Sequence, residues 1–167
     1  SRWSVLIATT LGYGFLYTCR LGLSVVKKPL IDNNIFDADQ LGKIGSSLFW
    51  GYAVGKLVNG LLADHANIRK FFAAGVFCSG VINILMGGSP LLWVWMVLWG
   101  VNGWFQAFGA AASVVSLSHW YRAKERGTVY GIWSMSHSIG EGLTFVVSAT
   151  LVTNFGWRAG FVGPGVF

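Results

Sequence analysis

The chain has 167 residues, 54% of them hydrophobic and only 11% charged, with a formal net charge of +6. Soluble domains average about 25% charged residues, so this composition excludes an ordinary water-facing surface and points to long spans in a bilayer. The basic residues fall in short clusters between apolar spans, which is the layout of loops facing anionic lipid and not of a nucleic-acid-binding surface.

A membrane-crossing helix needs about 20 mainly apolar residues. The first such segment runs from Trp3 to Val26. Within it Tyr13, Tyr17, Arg20 and Ser24 follow i, i+4, i+7, i+11 spacing and share one face. An ionisable group inside a span costs at least ~2.5–3.5 kcal/mol on insertion scales, so its presence points to a function. The guanidinium of Arg20 is a permanently charged planar fork that can grip a phosphate through two parallel hydrogen bonds. The bland alternative is an arginine snorkelling to the interface, because Lys27 lies only about 10 Å further along the helix.

A charged loop is expected over Lys27–Gln40, followed by a second span from Leu41 to Ala63. Its Gly51 and Gly55 form a small-xxx-small face for close helix packing, and Lys56 follows as a second candidate for an internal cavity. A short loop, Asp64–Lys70, leads to a third span at Phe71–Gly88, and an uncharged turn at Ser89-Pro90 leads to a fourth at Leu91–Ser118. Asn102 and Gln106, spaced i, i+4 in the fourth span, either bond another helix or edge a substrate cavity. The loop His119–Gly127 carries Arg122, Lys124 and Arg126.

The fifth span, Thr128–Asn154, places Ser134, His137, Glu141, Thr144 and Ser148 on one polar face. His137 lies near the midplane, where an imidazole can donate to a phosphate oxygen and titrate near neutral pH. Glu141, one turn on, can pair with His137, neutralise Arg20 or Lys56, or carry a proton. A sixth segment, 157–167, is too short to span at about 16 Å, so the chain is read as ending inside a helix. Cys19 and Cys78 lack partners at metal-ligand or redox spacing, and no metal or cofactor is expected. No Ser-His-Asp or HExxH arrangement stands at a usable spacing, so the chain does not read as an enzyme.

Several motifs together resemble a known family. Gly60-Leu-Leu-Ala-Asp64 through Arg69-Lys70 resembles the loop between helices 2 and 3 of the major facilitator superfamily, with His65 and Asn67 where Arg and Gly are usual. Gly12-Tyr13-Gly14 through Arg20, Gly103-Trp104-Phe105-Gln106, His119-Trp120-Tyr121 and Trp133-Ser-Met-Ser-His137-Ser-Ile-Gly140 are similar to its organophosphate:phosphate antiporters, which carry glycerol 3-phosphate and hexose 6-phosphate. The resemblance implies an all-α membrane protein, the N-terminal bundle of a transporter with five complete transmembrane helices and a truncated sixth. It implies a phosphorylated small molecule and inorganic phosphate as partners, and a C-terminal half that supplies a second phosphate-binding arginine. It matches Arg20 to the phosphate-binding arginine of helix 1, Lys56 to a lysine of helix 2, and His137 to the histidine of helix 5. Gly60, Asp64, Arg69 and Lys70 match the cytoplasmic latch. Leu21 stands where the glycerol phosphate members have Lys, and Glu141 where the family commonly has glycine, so the pocket is less positive. The expected location is a bacterial inner membrane, with the N-terminus cytoplasmic on the Lys/Arg bias. A hexose phosphate sensor of the same fold and a proton-coupled symporter using Glu141 are the competing readings.

Overall fold

The computed structural model describes residues 1–166, and they form helices and short connections with no strand among them. Phe167, placed above in the sixth segment, lies outside the described residues. Five long helices, α1 (Arg2–Asp32), α2 (Ala38–Ala63), α3 (Ile68–Met86), α4 (Leu92–Trp120) and α5 (Ala123–Phe155), precede a short α6 (Ala159–Val166). The shortest of the five, α3 with 19 residues, is about 28 Å long, close to the thickness of a hydrocarbon core.

Among the described residues, α3 alone is both long and apolar enough to cross a membrane by average hydropathy. The other long helices carry polar faces that dilute the average. Their outward surfaces are nonetheless apolar, with Trp50, Leu57, Phe77, Trp93 and Val146 exposed. Polar groups such as Asn59, Asn83 and Asn102 are fully buried instead. That distribution suits a solvent of lipid chains and is the reverse of a water-soluble surface.

Two boundaries differ most from the sequence reading. The loop expected at Lys27–Gln40 is short, because α1 continues to Asp32. The buried stripe Leu16, Cys19, Leu23, Val26, Leu30 keeps its helical spacing past the lysines, which stay exposed, and Pro29 is accommodated close to the helix end. The fifth helix begins at Ala123, five residues early. There the Glu125 carboxylate reaches back to accept the Arg122 backbone N–H at 3.3 Å, so charge that hydropathy assigns to a loop serves as a helix start.

α2 packs along α4, α3 lies between α4 and α6, and α1 runs against α5 while also touching α3, α4 and α6. The Gly51/Gly55 face meets α4 as the spacing predicts. A methyl on Gly51 would strike the Gly100 carbonyl, and one on Gly55 would lie 3.0 Å from Trp104 Cα. Two apolar clusters fill the bundle. Val26, Leu30, Phe36, Trp95, Trp99 and Phe161 anchor one, and Leu6, Tyr13, Leu16, Leu117 and Trp133 anchor the other.

A polar layer ties α1, α3 and α4 together. The Ser79 hydroxyl donates to Asn102 Oδ1 at 2.5 Å, and Gln106 Nε2 donates to Leu16 O at 3.0 Å. Asn83 Nδ2 donates to Cys19 O at 3.1 Å. Interhelical hydrogen bonds of this kind contribute about 0.6–2 kcal/mol each in a membrane, and here they fix the height of α1.

The connections alternate between two ends. Ser4 at the start of α1, Asn67 and Arg69 of the α2–α3 turn, and His119 and Trp120 at the end of α4 line one cleft of about 720 Å³. At the opposite end Trp95 packs against Phe36 at 5.0 Å and against Trp157 at 5.8 Å, and its indole donates to the Ser89 carbonyl. The first end gathers Arg2, Arg69, Lys70, Arg122, Lys124 and Arg126; the second has Lys27, Lys28, Lys43 and Arg158. That excess of Lys/Arg at the first end is the bias on which a cytoplasmic first end is expected. Single cysteines placed at Asn67 and Lys124 are therefore expected to resist an impermeant thiol reagent in intact cells, while one at Asn33 reacts. Equal labelling at all three positions would overturn the orientation.

Candidate functional site

The stripe on α1 is straddled by α2 and α5, and Arg20, Lys56 and His137 gather there around shared aromatic rings. The Arg20 guanidinium lies 4.8 Å from the centre of the Tyr52 ring and 5.7 Å from those of Tyr17 and Phe49. Lys56 Nζ lies 5.7 Å from the same Tyr52 ring. Tyr52 thus holds two cations beside one aromatic ring, each attracted by the ring quadrupole. Neither cation is within 4.0 Å of a carboxylate among the described residues, where ion pairs form only between Arg2 and Glu125 and between Asp39 and Lys43.

On the other side of the groove, the Tyr17 ring meets His137 edge-on at 4.9 Å. His137 Nδ1 lies 2.9 Å from the Ser134 carbonyl oxygen. With Nδ1–H donating there, Nε2 accepts in the neutral ring and donates only in the imidazolium form. His137 can therefore serve an oxyanion when protonated and a hydroxyl donor when neutral. The run Lys56–Tyr52–Arg20–Tyr17–His137 is a continuous cationic and aromatic wall contributed by three helices.

α1 and α5 are set in register by small residues. A methyl on Gly140 would lie 3.2 Å from Gly14 Cα, and the Thr18 and Thr144 hydroxyls meet at 3.1 Å. Pairing 14 with 140 and 18 with 144 means that the two helices run parallel. Residues Arg20 and Glu141 are then offset along the axis by about 8 Å.

Several sequence assignments change. Tyr13 is buried, with its ring 4.9 Å from that of Trp133 and 4.7 Å from that of His137, so it packs within the aromatic wall with little surface of its own exposed. Asn102 and Gln106 are buried at 0% and 3% exposure, with their amides spent on Ser79 and on carbonyls of α1. Of the two roles left open for them, bonding another helix is the one they perform here. The polar face of α5 also divides. Thr144 and Ser148 turn into the bundle while Ser134 and Glu141 are exposed: the five positions share an arc of roughly 80°, and α1 covers the edge that holds Thr144 while the other edge stays open.

The 64–67 turn shows no internal latch. Asp64, Arg69 and Lys70 are all exposed and form no ion pair with one another, and a methyl on Gly60 would meet open space. The basic end is fastened elsewhere: Arg2 pairs with Glu125 at 3.3 Å, and the Tyr121 hydroxyl donates to the Arg2 carbonyl at 2.8 Å.

Tyr52 and Phe49 escaped the sequence reading, and Trp133 entered it only as part of the helix 5 motif and not as a site residue. Tyr52 stands four residues before Lys56, and Trp133 four before His137, so each lies one turn from a flagged residue. That spacing is the signal that could have found them.

A family model described as Major Facilitator Superfamily matches residues 6–167. A probable hexose phosphate transport protein of Chlamydia trachomatis is 38% identical over 165 residues, covering 99% of this chain and 36% of that protein. The membrane sensor protein UhpC of Escherichia coli is 32% identical over 164 residues, covering 98% and 37%. A glycerol-3-phosphate transporter of Haemophilus influenzae is 29% identical over 184 residues, covering 99% and 38%. The chain thus spans little more than a third of the length of these curated relatives. The crystal structure of a bacterial homologue of the human lysosomal transporter Spinster, inward-facing and unoccupied, matches with a TM-score of 0.81 at 19% identity. That match covers 98% of this chain and 40% of the other, and it shows the shared fold.

Proposed function

The chain belongs to the Major Facilitator Superfamily, a class of multi-pass membrane transporters, and from that premise we propose that the protein containing it carries an organic phosphate ester across the bilayer in exchange for inorganic phosphate. The observation that carries this reading is the pair of cations, Arg20 and Lys56, beside Tyr52 with no carboxylate in ion-pair range among the described residues. Two uncompensated cations in a low-dielectric groove favour a dianion, and a phosphate ester is the small metabolite group of that charge. His137 supports the bound oxyanion from α5, and Tyr17 separates it from Arg20.

The remaining wall comes from a second bundle with its own arginine, and rocking of the two bundles about the shared site exposes it to each side in turn. Asp64, Arg69 and Lys70 act as a latch by pairing with that second bundle, since they do not pair with each other. The bacterial inner membrane is the location, with the Arg2 end cytoplasmic.

A sensor that binds hexose phosphate without moving it uses the same groove, and the 32% identity to UhpC gives that second reading its weight. Proteoliposomes holding the whole protein and loaded with inorganic phosphate decide between them. Uptake of labelled hexose 6-phosphate coupled to phosphate efflux is the expected result. Binding without uptake would favour the sensor, and neither binding nor uptake of any phosphate ester would overturn both.

A further inference from the structure

The groove is polar in charge as well as in chemistry. Arg20 leans toward α2, over Tyr52 and Phe49, and Lys56 sits on that same helix. Glu141 stands on α5, exposed, one turn beyond His137, whose ring meets that of Tyr17. It forms no ion pair within 4.0 Å and no hydrogen bond among the described residues. A carboxylate that only balanced Arg20 or Lys56 would be found against one of them. Here the Gly14–Gly140 contact holds α5 so that Glu141 remains on the opposite wall, about 8 Å from Arg20 along the axis.

We infer that Glu141 is a specificity residue that reads the end of the substrate away from the phosphate, accepting hydrogen bonds from its hydroxyl groups and rejecting a second carboxylate. This rests on the transport reading above. An ionised carboxylate is an acceptor only, so it is satisfied by hydroxyl donors and opposed by another anion. The substrate class is therefore a polyhydroxylated phosphate ester, such as a sugar phosphate. A phosphoglycerate, which carries a carboxylate at the far end, is excluded. One relative, 30% identical over 142 residues, is a phosphoglycerate transporter protein of Salmonella typhimurium, so the two classes are real alternatives for this fold.

The test measures how well hexose 6-phosphate and 3-phosphoglycerate each compete with labelled inorganic phosphate for uptake by proteoliposomes of the whole protein. Wild type is expected to prefer the sugar phosphate. Glu141→Gln keeps the shape and removes the charge, and it is expected to shift the ratio of the two inhibition constants toward 3-phosphoglycerate by about tenfold, the size of one lost like-charge opposition. Glu141→Asp keeps the charge and should keep the exclusion. Arg20→Lys should weaken both esters together and leave their ratio in place. A ratio unchanged in Glu141→Gln overturns this inference while the transport reading stands. No competition by either ester in wild type removes the transport reading and this inference with it.

Discussion

Arg20→Lys is expected to impair phosphate-ester binding almost as severely as Arg20→Ala. Lysine keeps the positive charge but offers a compact ammonium in place of a planar fork, so the two parallel hydrogen bonds to a phosphate are lost. It also changes the contact with Tyr52, whose ring centre now lies 4.8 Å from the guanidinium carbon. Loss of a charge-assisted hydrogen bond costs about 1.5–3 kcal/mol, which is roughly 10- to 150-fold in affinity. His137→Ala should cost less, because His137 reaches the site through one ring nitrogen while the other faces Ser134. The measurement is binding of a phosphate ester to the purified whole protein carrying each substitution. Wild-type affinity in Arg20→Ala would return Arg20 to the role of a snorkelling side chain packed on Phe49 and Tyr52.

The legible part of this molecule is the part written in short-range periodicity. Tyr17 and Arg20 show a shared face at once, and the structure keeps them within 5.7 Å. The Gly51/Gly55 pair announces close packing, and the α2–α4 contact delivers it. What sequence alone hides is which partner a polar face meets. Ser134, Glu141, Thr144 and Ser148 look equivalent along the chain, yet Thr144 meets Thr18 inside the bundle while Glu141 faces outward. Asn102 and Gln106 show the same ambiguity: amides in a membrane span need partners, but only the fold reveals that α1 carbonyls and Ser79 supply them. Helix ends misled for a different reason. Lys27, Lys28 and Lys124 are charged, which reads as loop, whereas exposed lysines on a terminal turn outside the hydrocarbon cost a helix little.

Gly103→Ala is expected to destabilise the protein and weaken binding together, although residue 103 touches no candidate ligand group. A methyl there would strike the Leu48 carbonyl and lie 2.9 Å from the Tyr52 backbone nitrogen. Both obstacles are backbone, so no side-chain rotation relieves them and α2 must move off α4. Overpacking of this kind costs about 1–3 kcal/mol, and sometimes more. That exceeds the roughly 1 kcal/mol that alanine gains over glycine in a helix interior. Because the strike falls at Leu48 and Tyr52, the displaced segment of α2 is the one that carries Phe49 and Tyr52 beside Arg20, and Lys56 follows one turn later. Gly45→Ala, on the same helix α2 where a methyl meets nothing within 4 Å, is the matched control and should be neutral or mildly stabilising. Thermal unfolding of both variants in detergent, paired with phosphate-ester binding, measures the two effects. Equal melting temperatures for Gly103→Ala and Gly45→Ala would show that α2 and α4 are not locked at this crossing, and the position of Tyr52 beside Arg20 would then need another support.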